Sequence, residues 1–257
     1  MPDLLDLALN AHGGLDRWRQ VQSLDVRVSL TGGLYRLKGY PDGVPNTLMH
    51  VETRRVAVDV SPWVGMGTVG HFVPDRVWIT DGERRVIDQR SDPRASFAGH
   101  TRETPWDQLH RLYFTSYAMW NYIYLNTPFL FTLPGFEVKE IEPHQENGES
   151  WRCLWVKFPP DIPTHNGFQA GGEQTFFFNE KGLLQRLDYV AVGPAAHYCF
   201  DHATFGGVVF PTLRRVVSRP PSFSKYTVEF AKHFGEHWMV PNNDKEILEM
   251  KKRLADA

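Results

Sequence analysis

The chain has 257 residues, enough for one large or two small domains and for a core that needs no disulfide staple. A hydrophobic fraction of 42%, a charged fraction of 23% and a formal net charge of −2 describe an ordinary soluble globule without the basic face of a nucleic-acid binder. No run reaches the roughly 18 apolar residues of a membrane-spanning helix, and the start MPDLLDLALNAHGG lacks a basic n-region, so a cytoplasmic protein is expected.

In chain order, residues 3–12 read as a short amphipathic helix with Leu4, Leu5, Ala8 and Leu9 on one side, stopped by Gly13-Gly14, and 15–21 read as a second. Strands follow at 24–30, 35–40 and 47–60, where Val56, Val58 and Val60 alternate. Residues 67–80 and 84–90 form a hairpin about Asp81-Gly82, the strongest short-range turn signal in the chain. After a polar segment at 91–103 comes the main helix, 104–125, with Thr104 as N-cap, Pro105 in the first helical position and Asp107 helping to satisfy the first-turn donors. Trp106, Leu109, Tyr113, Tyr117, Trp120 and Tyr124 recur on it at steps of three and four, an aromatic stripe that a sheet must cover.

The second half is strand material. Residues 136–143 and 151–158 form a hairpin about Glu146-Asn147-Gly148, and both parities of Trp151-Arg-Cys-Leu-Trp-Val-Lys-Phe158 are apolar enough for burial on two faces. A Pro- and Gly-rich loop at 159–172 could act as a flap. Residues 173–218 then make a four-strand meander whose reversals fall at Asn179–Gly182, Gly193-Pro194 and Gly206-Gly207. A strand at 226–230 and a charged helix at 245–254 close the chain. No repeat or linker divides it, so a single domain over 1–257 is expected.

The order of these elements, with the phrases AHGGLDRW, GLLQRLDY, AHYCFDH and GGVVFPTLRRV, resembles the LolA/LolB-like fold. The resemblance implies a strongly curved antiparallel half-barrel with helices plugging its concave side and an apolar cavity beneath them. LolA and LolB are exported carriers of lipoproteins. Without an export signal, what carries over is the cavity and not that cargo. An enzyme of pigment biosynthesis with a similar fold works without a cofactor, so the fold permits catalysis without implying it.

Chemistry-bearing motifs are sparse. Gly65-Met-Gly67-Thr-Val-Gly70 spells GxGxxG, but strand material follows it where a dinucleotide site needs a helix. His233-Phe-Gly-Glu236-His237 spells HxxEH, yet Gly235 and Pro241 break the helix that zinc ligation requires. In AHYCFDH, His197, Cys199 and Asp201 share one strand face, a poor tetrahedral metal set, although a His–Asp pair there could hold a general base. Asp188 beside Arg186 reads as a surface ion pair. The two cysteines, Cys153 and Cys199, lie in separate strands and read as buried thiols.

The aromatic share of 13%, with 8 Trp and 17 Phe, exceeds ordinary core filling and suits a small-molecule pocket. The expected fold is α+β, a strongly curved antiparallel sheet of about 9–11 strands wrapped around the aromatic helix. The expected function is binding of a small apolar or aromatic molecule between helix and sheet. The alternative is a cofactor-independent enzyme in the same cavity, with His110, Tyr117, His197 and Asp201 as proton-transfer groups. Trp106, Tyr113, Trp120 and Tyr124 would line the cavity from the helix, and Trp78, Trp155, Phe177, Tyr189 and Tyr198 from the strands. No metal, cofactor or nucleic acid is expected, and nothing fixes the oligomeric state.

Overall fold

The computed structural model describes residues 3–101, 103–120, 125–146, 148–160, 162, 172–190 and 194–219. Tyr124, most of the 159–172 loop, the strand expected at 226–230, the HxxEH segment and the helix expected at 245–254 lie outside the described residues. The described strands and helices all belong to one unit, Met1–Ser218.

Among the described residues twelve strands are divided between two six-stranded antiparallel sheets, where the sequence reading has one sheet of nine to eleven. The first holds β1 (Ser23–Leu30), β2 (Val44–Glu52), β3 (Val58–Ser61), β4 (Val69–Val73), β5 (Arg76–Thr80) and β6 (Val86–Ser91). The second holds β7 (Glu137–Glu146), β8 (Glu149–Lys157), β9 (Glu173–Phe178), β10 (Leu184–Val190), β11 (Pro194–Phe205) and β12 (Val208–Ser218). Each is a plain meander in which neighbours in space are neighbours in sequence. Four α-helices accompany them among the described residues: α1 (Leu4–Ala11), α2 (Leu15–Trp18), α3 (Gly33–Leu37) and α4 (Gln108–Trp120).

The hairpin about Asp81, the hairpin of β7 and β8 and the β9–β12 meander fall where the alternation puts them. Asp81 fixes its turn by accepting from the backbone N–H groups of Glu83 and Arg85, both at 2.9 Å. Four expectations are corrected. The stretch 47–60 is two strands, and 67–80 is also two. The strand expected at 35–40 is instead the turn of helix α3, because Tyr35 is buried there and its hydroxyl meets Thr115 Oγ1 of α4 at 2.9 Å. The main helix begins at Gln108 and not at 104. Lys38 Nζ donates to the carbonyls of Thr101 and Thr104, each at 2.9 Å, and the Trp106 N–H donates to the Lys38 carbonyl. Those long-range bonds hold Thr104 and Trp106 out of the helix, and Asp107 becomes the cap by accepting from the His110 N–H at 2.8 Å.

The apolar faces of both sheets belong to one contiguous core, together with α1 and α4. Every residue of α4 from Arg111 to Trp120 is buried, and the helix packs on β2 to β6. Val26, Met49, Val60, Gly70 and Ile79 stand side by side across the first sheet beneath it. Gly70 is the close-approach point: a Cβ there would lie 2.6 Å from Leu112 Cδ1. The last glycine of the apparent GxGxxG therefore serves helix–sheet packing inside β4.

Phe131 meets Phe176 of the second sheet at 4.7 Å, and Phe129 stacks on Trp18 of α2 at 4.4 Å. The AHGG corner after α1 is latched to the β11–β12 turn. Val209 N–H donates to the His12 carbonyl at 3.0 Å, Gly13 has φ +113°, and a Cβ on Gly13 would lie 2.2 Å from the Gly207 carbonyl oxygen. The opening and closing phrases of the family resemblance thus touch each other.

Candidate functional site

The sequence-picked residues fall into four places. The first is the N-terminal end of α4. His110 Nδ1 lies 2.9 Å from Asp107 Oδ1, and Asp107 is also held by Arg90 through contacts of 3.2 and 2.5 Å. Burial alone would raise the Asp107 carboxyl, but Arg90 and the His110 N–H outweigh it and hold it below its ordinary value. Burial lowers the His110 imidazole against the upward pull of Asp107, so the ring is neutral near pH 7. Phe97 and His100 pack against that ring, both at 4.8 Å, and Phe97 also meets Trp106 and Tyr113 at 5.9 and 5.6 Å. Tyr117 stacks on Tyr113 at 5.5 Å. Burial pushes the Tyr113 phenol up to about 12, so it is no proton donor near neutrality.

This arrangement can orient a neutral imidazole with one nitrogen committed to a carboxylate, the requirement for a general base. Its other nitrogen lies 3.4 Å from the Ser96 carbonyl, too far for a good hydrogen bond. Trp120, at the far end of α4, donates its indole N–H to the Glu52 carbonyl at 2.7 Å.

The second place is the core-facing side of β10–β12. His197 is fully buried, with Tyr189 Oη at 3.5 Å from Nδ1 and Arg214 Nη1 at 3.5 Å from Nε2. Cys199 is buried on the same side, with its thiol pushed up by burial. Asp201 is not part of this group: it is exposed, has φ +53°, and its backbone carbonyl accepts from Thr212. Among the described residues no group of three His, Cys, Asp or Glu is placed to hold a metal ion.

The third and fourth places are the sheet faces turned away from the core. On the first sheet Asp25, His50, Asp59, His71, Trp78 and Gln89 stand directly opposite one another in turn across all six strands. Trp78 stacks on His71 at 4.9 Å and carries the Arg76 guanidinium at 4.7 Å. On the second sheet Trp151, Cys153 and Phe177 form a separate small apolar cluster with Tyr198 against it. Trp155 shares the parity of Trp151 and Cys153, and its indole donates to Glu173. The pair expected at the surface, Arg186 and Asp188, is a buried two-point contact at 2.7 Å under those rings, joined by Glu146 at 2.5 Å. Trp78, Trp155, Phe177 and Tyr198 therefore stand apart from α4, while Trp106, Tyr113, Tyr117, Trp120 and Tyr189 belong to the main core.

Three groups escape the sequence reading. Gln174, on the core-facing side of β9, is 2% exposed, and both of its amide atoms lack a hydrogen-bond partner among the described residues. Ser116 Oγ on α4 is likewise buried and unpartnered. Arg111, in the first turn of α4, is buried against two aromatic rings. A polar residue opening a strand, or a cation one turn into a helix, reads as solvated in sequence, so no local signal marks them.

No family model matches the chain, and no curated protein matches it. Among solved structures, the Mycobacterium tuberculosis lipoprotein LppX aligns over 73% of this chain and 87% of its own, at 13% identity and a TM-score of 0.23. At that score the likeness says nothing of ligand or location. No helix among the described residues is long and apolar enough to cross a membrane.

Proposed function

We propose that the two meanders wall a half-barrel-like enclosure around α4, and that the protein binds a small, largely apolar or aromatic molecule there without a cofactor. The observation that carries this reading is the amide of Gln174. An unsatisfied buried polar group costs about 1–3 kcal/mol, and native interiors hold few of them. Gln174 has two such atoms, and Ser116 Oγ adds a third in the same apolar core. A guest with a donor and an acceptor would satisfy them while its body rests on the aromatic side chains.

The test is titration with the neutral probe N-phenyl-1-naphthylamine, with native mass spectrometry of the protein purified from its own host. Saturable fluorescence enhancement at one site, and a retained small molecule, are expected. Gln174→Leu should change the affinity of a polar-headed guest while leaving a plain hydrocarbon bound. A probe that binds nowhere, or binds equally well to unfolded protein, sinks the reading.

A second reading, a cofactor-independent acid–base enzyme, draws on the Asp107–His110 pair. It predicts that His110→Gln retains a chemically different molecule from wild type, substrate in place of product. A pure binder retains the same molecule in both.

A further inference from the structure

Arg111 has an environment that is unusual for a cation. It is 9% exposed, and its guanidinium lies against the rings of Tyr40 and Trp63, at 4.2 and 4.4 Å. Among the described residues its hydrogen bonds go to neutral acceptors: Nη1 to the Gly43 carbonyl at 3.2 Å and Nη2 to Gln108 Oε1 at 2.7 Å. The Trp63 carbonyl, at 3.5 Å from Nη2, is at the limit of a bond. Nε is buried and has no acceptor among the described residues.

No Asp or Glu forms an ion pair with Arg111 among the described residues. Asp107, the carboxylate at the same helix end, is committed to Arg90 and His110. The position compounds the imbalance, because the first turn of a helix already carries partial positive charge. Buried charges in proteins are ordinarily paired, and this one meets only dipoles and rings.

The vacant donor has a direction. Nε–H and one Nη2–H leave the guanidinium along the same edge, the edge that carboxylates engage with both oxygens. In this structure Nη2 donates to a neutral amide oxygen, Gln108 Oε1, and Nε has no acceptor among the described residues. The walls are apolar: Trp63 belongs to the main core and Tyr40 packs against it. The loop that supplies Trp63 also exposes Val64 and Met66.

We infer that Arg111 is the anion-binding group of the site, and that the natural guest is a monoanionic acid, foremost a carboxylic acid, with an apolar or aromatic body. The inference rests on the interior-binding reading above and narrows its ligand class. The carboxylate takes the Nε/Nη2 edge in place of Gln108, with the Tyr40 and Trp63 rings against the guanidinium. The charge of Arg111 then stabilises the bound acid and the acid stabilises the buried cation, so binding and folding are linked.

The experiment compares dodecanoate with its methyl ester, which share an apolar body and differ in the charge of the head. Each is used to displace N-phenyl-1-naphthylamine, and each is separately tested for its effect on the melting temperature, a readout independent of the probe. Wild type should bind the acid at least ~10-fold more tightly than the ester and be stabilised by the acid alone, the discrimination a charge-assisted two-point contact supplies. Arg111→Met should lose that discrimination, read as the ratio of acid to ester affinity within the same variant. Arg111→Lys keeps charge and stem but lacks the planar edge, so it should show a reduced preference, and it stands in if the Met variant fails to fold. Equal binding of acid and ester to wild type, or a preference that survives Arg111→Met, overturns the inference while leaving the interior site standing. Failure of the probe to bind overturns the interior reading instead, and the melting shifts then decide Arg111 separately.

Discussion

The two sheets share a topology and differ in what they do with their second face. Both are six-stranded meanders with one side in the common core. The far side of the first sheet is a row of alternating carboxylates and imidazoles, Asp25, His50, Asp59 and His71, with His50 and Asp25 substantially exposed. The far side of the second buries Trp151, Cys153, Phe177 and an ion network around Arg186, which is 7% exposed in its side chain. The same kind of contact, a cation or imidazole on a carboxylate, is thus solvent-screened on one sheet and desolvated on the other. Burial, not the pairing itself, sets what each contact is worth.

The largest expected effect sharpens that contrast. Arg186→Met leaves Glu146 and Asp188 facing each other under aromatic rings with no cation, a change that destabilises by about 3–5 kcal/mol when a buried pair loses one partner. Urea denaturation at pH 7 should show a large fall in midpoint. Burial alone would raise Glu146, but hydrogen bonds from Tyr198, His144 and Arg186 hold it below its ordinary value of 4.5. Stability from this carboxylate is therefore present above that value and is lost as pH falls through the lower folded-state value. In Arg186→Met the deficit should shrink toward pH 4, because protonation relieves the uncompensated charge. A deficit under 1 kcal/mol would mean the network is screened as on the first sheet.

Next in size is an acid effect at the corner that latches α1 to β12. His12 Nδ1 lies 2.8 Å from the Ala8 carbonyl, so it carries the proton, and Nε2 is buried without a partner among the described residues. Burial lowers its pKa to about 4, with His202 and Arg214 adding to the depression and the Ala8 carbonyl opposing it. The unfolded chain binds a proton at this ring that the folded chain refuses. Stability accordingly falls as pH drops from 6.5 to about 4, by a total of about 3 kcal/mol. His12→Asn, which can keep a donor toward the Ala8 carbonyl, should flatten that part of the stability–pH curve. An unchanged slope would assign the acid sensitivity elsewhere.

The range of the forces involved decides how much of this is legible in the sequence. The β9–β12 meander and the Asp81 hairpin are local: alternation and turn residues specify them. Helix α3 and the late start of α4 are not legible, since Tyr35–Thr115 and Lys38–Thr101 join residues more than sixty positions apart. Period-two alternation says which side chains share a face but not which face meets the helix. In β8 both parities are apolar, and so the sequence puts Trp155 with the cavity although Leu154, Val156 and Phe158 make the core face. His110 stands out in sequence as a polar residue on an aromatic helix, but Asp107 reads only as a helix-end group. Arg111 and Gln174 carry no signal at all, because what marks them, a cation with no carboxylate and an amide with no partner among the described residues, exists only in three dimensions.

Gly70→Ala probes the packing on the core side of the first sheet. The new methyl meets the end of the Leu112 side chain, which can rotate, and the ring of Trp63 at 3.0 Å, which is held by its bond to the Gln108 carbonyl. Overpacking of this kind destabilises by about 1–3 kcal/mol. Because Trp63 covers the Arg111 guanidinium, the same variant should also weaken acid binding relative to ester, a coupling that a cavity elsewhere in the core would not show.

The smallest effect closes the comparison. His71 meets Asp59 at 2.7 Å and Thr80 Oγ1 at 2.9 Å, and stacks on Trp78, yet Asp59 is half exposed. Screened pairs of this kind contribute about 0.2–1 kcal/mol, so His71→Ala and His50→Ala should each shift the urea midpoint only slightly, and their effects should be reduced further in 1 M salt. The row gives a sharper test than either pair alone. Asp59 stands directly opposite both imidazoles, so a double-mutant cycle between His50 and His71 measures whether the row acts as a unit. Additive losses mean four independent surface residues. A coupling above about 0.5 kcal/mol would mean that the outer face of the first sheet is organised electrostatically despite its exposure, and that burial does not by itself separate the two sheets.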